Sequence, residues 1–114
     1  MVKLKRVYLM PAKGDGCRVL VDRLWPRALS KQKAKVDCWL RDIAPSTALR
    51  KWYGHDPGRW SEFRRRYAKE LKARPEAVRE LRSLLKAHAT VTLLFSSKEE
   101  KLNNAVALKA YLRK

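Results

Sequence analysis

The stretch Val19-Leu20-Val21-Asp22-Arg23-Leu24-Trp25-Pro26-Arg27 constrains this chain more than any other. A short apolar run stops on a carboxylate, two guanidiniums, an indole and a proline. It reads as a buried strand that delivers polar groups to its own end, where Pro26 forbids immediate continuation. A second run, Thr90-Val91-Thr92-Leu93-Leu94-Phe95, is short, β-branched and uncharged, and reads as the most deeply buried strand of the chain.

Helical patterns lie between and after these runs. Ser46 is a good N-cap for a helix over Thr47 to Tyr53, which Gly54 ends. His55-Asp56-Pro57 leads into the next helix, with Asp56 as cap and Pro57 in its first turn. There Trp60, Phe63, Tyr67 and Leu71 make one apolar stripe, and Arg64, Arg65, Lys69 and Lys72 take the opposite side. After Arg74-Pro75 a third helix turns Val78, Leu81, Leu84 and Leu85 to the core, and a last one runs from about Asn103 to Leu112. A further strand is expected over Leu4 to Leu9, and Cys17 to Asp22 alternates in the manner of a strand. Ser30 caps a basic helical turn, Lys31 to Lys35, while Val36 to Ile43 fits either period and is taken as a strand followed by a turn. Strands separated by helices define an α/β fold. The expectation is one domain over residues 1–114, a small Rossmann-like sheet of about four strands, partly parallel, covered by helices on both faces.

In such sheets ligands bind beyond the carboxyl ends of the strands, where helix N-termini present free N–H groups. If the two inner strands are parallel neighbours, Asp22 to Arg27 and Ser96 to Asn104 share a rim. That rim would hold Arg23, Arg27 and Lys98 as cations, Ser96, Ser97, Asn103 and Asn104 as neutral hydrogen-bonding groups, and Trp25 as a flat stacking surface. Such a set suits an anionic small molecule with a planar part, such as a nucleotide. Each residue also has a plainer reading: Arg23 and Arg27 pairing with carboxylates, Trp25 lidding the core, the serines as loop, an asparagine as helix cap. His55, in a tight polar turn, is the candidate for acid or base chemistry, with Asp22 as the other. His88 reads as a cation at a helix C-terminus.

Several chemistries find no support. Gly14-Asp15-Gly16 precedes a strand, the wrong order for a phosphate-cradling loop, and reads as a reversal in which both glycines supply positive φ. Cys17 and Cys38 make neither a disulfide framework nor, with two histidines elsewhere, a zinc site; they read as free thiols, with Cys17 in the core. No metal or cofactor is called for. The N-terminus lacks the apolar core of a signal peptide and no apolar run is long enough to span a membrane, so a cytoplasmic protein without a membrane partner is expected. Oligomeric state stays open.

Charge keeps another class in view. Lys and Arg outnumber Asp and Glu by 28 to 11, a net charge of +17 and of the sign that attracts phosphate polymers. Residues 1–58 carry 13 basic and 5 acidic side chains and residues 59–114 carry 15 and 6, so no basic tail concentrates it.

Five segments together carry a resemblance: Val-Leu-Val-Asp-Arg-Leu-Trp-Pro-Arg at 19–27, Ala-Pro-Ser-Thr-x-Leu-Arg-Lys-Trp at 44–52, Gly-His-Asp-Pro at 54–57, Val-Thr-Leu-Leu at 91–94 and Asn-Asn-Ala-Val at 103–106. They resemble the YeaO-like family, a bacterial and archaeal family of unknown function, over nearly the whole chain. The resemblance implies a small α/β domain and matches Arg23, Trp25, Pro26, Arg27, Trp52, His55, Asn103 and Asn104 to family motifs, without an established activity. Ala28 replaces the glycine that usually follows the second arginine. Leu102 stands where a histidine is expected before the two asparagines, which puts in doubt any mechanism relying on that histidine. Two functions follow as expectations: binding of an anionic small molecule at the rim, as an enzyme or not, or sequence-independent nucleic-acid binding by the basic surface.

Overall fold

A computed structural model describes residues 1–113. Four parallel strands, β1 (Val2–Arg6), β2 (Cys17–Leu20), β3 (Cys38–Trp39) and β4 (Val91–Phe95), form one sheet in the order β1-β4-β2-β3. Five α-helices accompany them: α1 (Lys31–Ala34), α2 (Thr47–Tyr53), α3 (Trp60–Lys72), α4 (Pro75–Ala87) and α5 (Asn104–Leu112). The expected α/β sheet is therefore present, and it is parallel throughout. Parallel pairing exposes a strand's backbone on neither side only at the centre, and β2 and β4, the two apolar runs, hold those central places with every residue buried.

The two faces are covered unequally. On one, Val19, Val21, Leu93 and Phe95 pack against the long helices, with Phe63, Tyr67, Leu71, Leu81 and Leu108 in the same core. Its centre is aromatic: Tyr53 stacks on Phe63 at 4.4 Å between ring centroids, and Phe63 in turn meets Trp60 and Tyr67 at 5.7 and 5.8 Å. The stripe read from α3 is thus the core face. On the other, Val7, Leu20, Ala34 and Leu94 make a small cluster closed by the one-turn α1, by Trp25, Leu29 and Val36 from the connecting segments and by Trp39 of β3.

The second face also buries charge. Arg18 donates from Nε and Nη2 to the carbonyl of Ala34 at 3.2 and 2.8 Å and from Nη1 to Asp15, while Lys5 Nζ approaches the same carboxylate at 3.1 Å. Burial raises the Asp15 pKa, but the Ala12 N–H and the Lys5 and Arg18 cations outweigh it and hold the carboxyl below its ordinary range. Each nitrogen of that guanidinium has a fixed acceptor, which is what makes its burial tolerable.

Some expected boundaries shift. β1 begins at Val2, not Leu4, and ends at Arg6, because its partner β4 spans Val91 to Phe95 and the ladder closes with Val7 N–H donating to the Phe95 carbonyl. Beyond that the Leu9 N–H turns back to Arg6. Residues 36–43 follow the expected order, a two-residue strand and then a 3-10 turn over Arg41–Ile43. Ser30, Ser46, Asp56 and Asn103 all cap helical segments as read, accepting from the N–H groups of Lys33, Leu49, Gly58 and Val106. No helix among the described residues is long and apolar enough to cross a membrane.

Of the glycine pair in the first reversal only Gly16 takes a positive φ, at 63°; Gly14 lies in a 3-10 turn. A Cβ on Gly16 would stand 2.2 Å from the Thr90 carbonyl oxygen, the same atom that accepts the Cys17 N–H. Gly16→Ala is therefore expected to destabilise the protein by more than about 1 kcal/mol, combining the backbone and steric penalties. An unchanged urea midpoint would contradict this close approach.

Candidate functional site

Because β2 and β4 are parallel neighbours, paired from Cys17↔Val91 to Leu20↔Leu94, the loops after them lie side by side. Asp22 and Ser96 meet there. Asp22 Oδ2 accepts from the Ser96 N–H at 2.9 Å and the Ser96 hydroxyl at 2.7 Å, and Oδ1 accepts from Asn104 Nδ2 at 3.0 Å. Asn104 also donates to the Val21 carbonyl at 3.1 Å. The buried Asn103 caps α5 and donates to the Glu99 carbonyl, Ser97 Oγ accepts the Glu99 N–H, and Arg6 Nε reaches the carbonyls of Ser96 and Ser97. The expected gathering of polar groups is real, but they satisfy one another. A carboxylate that already holds three hydrogen bonds has little acceptor capacity left for a ligand.

The remaining expected site residues separate. Arg23 donates to the carbonyls of Pro45 and Ala44 at 3.3 and 3.2 Å, so it fastens the segment before α2 and does not pair with Asp22. Trp25 is half-buried, edge-on to Trp39 at 5.5 Å, with its N–H given to the Leu29 carbonyl at 2.7 Å. It lids the second-face cluster. Arg27 and Lys98 are exposed, and their side chains have no hydrogen-bond or ion-pair partner among the described residues. His55 is exposed at φ 58°, directly after Gly54 at φ 53°, and its ring lies 6.1 Å from that of Tyr53. Tyr53 donates to the Leu102 carbonyl at 2.8 Å, so His55 comes to the loop before α5. Glu99 in that loop is held below its ordinary pKa by the N–H groups of Lys101 and Leu102, with smaller help from the Lys101 and His55 charges. Burial, with Asp37 and Cys38 nearby, pushes the Cys17 thiol up, away from nucleophilic use. Among the described residues no three His, Cys, Asp or Glu side chains are grouped as metal ligands.

Open surface lies elsewhere, around the outer ridge of α3. A groove of about 710 Å³ between α3 and α5 is lined by Arg64, Arg65, Arg66, Lys69 and Lys72, with Glu62 as its one acidic residue. Glu62 accepts from Arg65 Nε and Nη2 at 2.9 and 2.7 Å and from Arg66 Nε at 2.8 Å, and these bonds hold its pKa at about 2. It stays ionised and orients two guanidiniums side by side. Across the ridge, a second hollow of about 620 Å³ between α2 and α3 is walled by Ala48, Leu49, Trp52 and Ala73, and Arg66 and Lys69 border it too. The sequence shows the basic face of α3 through its helical period; the α5 wall and the hollow come from helix crossings that no local pattern encodes.

Fold and surface together define a small parallel α/β protein whose strand-end rim is closed and whose open cationic surface is carried by its helices. The family described as the inactive DUF488-N3 subclade matches residues 1–114, and the chain belongs to it. The uncharacterized protein YeaO of Escherichia coli (strain K12) is 38% identical over 112 residues, covering 98% of this chain and 96% of that protein, which bears out the resemblance read from the motifs. Uncharacterized proteins of Mycobacterium bovis and Mycobacterium tuberculosis are 47% identical over 83 residues, covering 73% of this chain and 70% of each relative. No solved structure matches. The two departures from the family pattern have visible settings: Ala28 adopts φ 59°, the left-handed backbone that a glycine would take without strain, and Leu102 offers its carbonyl to Tyr53.

Removing the Asp22 carboxylate strands the Ser96 and Asn104 donors in a half-buried junction. Asp22→Ala is expected to cost roughly 2–3 kcal/mol, and Asp22→Asn less, since it keeps one acceptor oxygen. Equal denaturation midpoints for all three proteins would show that the junction does not depend on this carboxylate.

Proposed function

We propose that this chain acts as one α/β unit that binds nucleic acid through the α3/α5 groove, independently of base sequence and without catalysing a reaction. One observation carries the reading: five cations line a single groove that contains one carboxylate, and that carboxylate is already shared by two of them. Aligned Lys and Arg side chains on open surface suit a chain of phosphates better than one compact anion. The strand-end rim is the poorer receptor, since the side chains of Ser96, Asn103 and Asn104 donate to groups of the protein and Arg23 to backbone carbonyls. Absence of catalysis agrees with the description of the family as inactive and with leucine at position 102 in place of the expected histidine. Two free cysteines fit a reducing compartment, and the proposal places the protein in the cytoplasm.

Anisotropy of a labelled oligonucleotide, followed as salt is raised, tests this. Four or five phosphate contacts give a slope of log K against log salt of roughly −3 to −4, and Arg64→Ala or Lys72→Ala each lower its magnitude by about 1. No measurable binding near physiological salt would sink the proposal.

A second reading keeps the rim for an anionic small molecule, on the observation that Arg27 and Lys98 are exposed without partners among the described residues. A thermal-shift screen with nucleotides and sugar phosphates would favour it if hits were lost in Arg27→Ala and Lys98→Ala; hits indifferent to both would dispose of it.

A further inference from the structure

We infer that the nucleic acid is single-stranded and that one unpaired base enters the hollow between α2 and α3, against Trp52. This rests on the reading of the α3/α5 groove as the phosphate-binding track and adds to it the form of the ligand. The hollow and the groove are two sides of one ridge: Arg66 and Lys69 border both. Their chemistry differs in the way that the two parts of a single strand differ. The groove is lined by charge; the hollow is walled by Ala48, Leu49, Ala73 and the half-buried Trp52. A duplex keeps its bases paired inside and offers only phosphates to such a ridge, whereas an unpaired strand presents phosphates on one side and flat apolar bases on the other.

Trp52 is suited to receive a base. The Arg66 and Arg59 guanidiniums lie 4.1 and 5.0 Å from its ring centroid, and indole and guanidinium planes both stack on nucleobases. Its backbone is fixed as well, since Arg59 also donates to the Trp52 carbonyl. Arg66 is held on its other side by Glu62 at 2.8 Å, so one oriented guanidinium stands between the phosphate track and the base hollow. At about 620 Å³ the hollow lies within the range of ordinary ligand pockets, roughly 300–1,000 Å³, and so has room for a base. Glu70 at its border spends one bond on the Ser46 N–H and one on the Ser46 hydroxyl, which leaves acceptor sites for the amino group of a base. Cations bordering an apolar hollow favour this occupant over an apolar segment of a basic protein, which the net charge of +17 repels.

The experiment compares a labelled single strand with a duplex of the same sequence on the full chain, for the wild type, Trp52→Leu and Ala48→Gln. Ala48 is exposed on α2, so glutamine there fills the hollow without touching the core or the charge, and it keeps the test sound should Trp52→Leu melt early. The expected result is tighter binding of the single strand and a loss of roughly 5- to 150-fold in both variants for the single strand, with duplex affinity nearly unchanged. Equal affinity for the two forms, or equal losses for both, overturns the inference while leaving the groove as a nucleic-acid site. If neither form binds the wild type, the inference and the reading of the groove both fall.

Discussion

The carboxylate of Asp22 accepts hydrogen bonds from residues 74 and 82 positions further along the chain, and the junction between the two central strands is built on it. Parallel strands end together, so the loops that leave them must be kept in register by contacts other than the ladder. Asp22 does this by taking the first N–H after β4 and the amide of the first residue of α5. Asn103 and Arg6 complete the closure around the same loop. The polar equipment usually found at the ligand-binding edge of an α/β sheet is here turned inward.

The cationic surface of α3 has a separate cause. α3 must bury Phe63, Tyr67 and Leu71, and the 3.6-residue period then places Arg64, Arg65, Arg66, Lys69 and Lys72 on its outer sides. Like charges on neighbouring turns repel, and Glu62 relieves this by bridging Arg65 and Arg66, while the aromatic rings of Trp60 and Trp52 take up Arg64 and Arg66 from the other side. On the proposed reading, this orientation of Arg65 and Arg66 reduces the entropy lost on binding.

The central strands and the caps were legible because their causes are local. The nine buried positions of β2 and β4 form two short runs, apolar except for Arg18 and Thr92, and Ser30, Ser46, Asp56 and Asn103 each answer an N–H two or three residues away. The extent of β1 was not, because an edge strand ends where its partner ends, and that partner lies some ninety residues later. Within the candidate site, the residues around Asp22 and Asn104 were found and their proximity was anticipated from parallel topology. Their mutual saturation could not be read, since hydrogen-bond partners across such separations leave no spacing in the sequence. Arg18 was missed for the same reason: alternation puts it on the second face, but the Ala34 and Lys35 carbonyls that permit its burial come from a loop closed by tertiary structure.

The proposal divides the labour: the strand ends hold the fold, and α3 with its neighbours meets the ligand. Amide chemical-shift mapping during titration with a short single-stranded oligonucleotide tests that division most directly. The account predicts that perturbed residues cluster in Ser46–Trp52, Ser61–Ala73 and Ala107–Tyr111, with Asp22–Arg27 and Ser96–Asn104 unmoved. Perturbation centred on Asp22–Arg27 and Ser96–Asn104, with α3 silent, would contradict it.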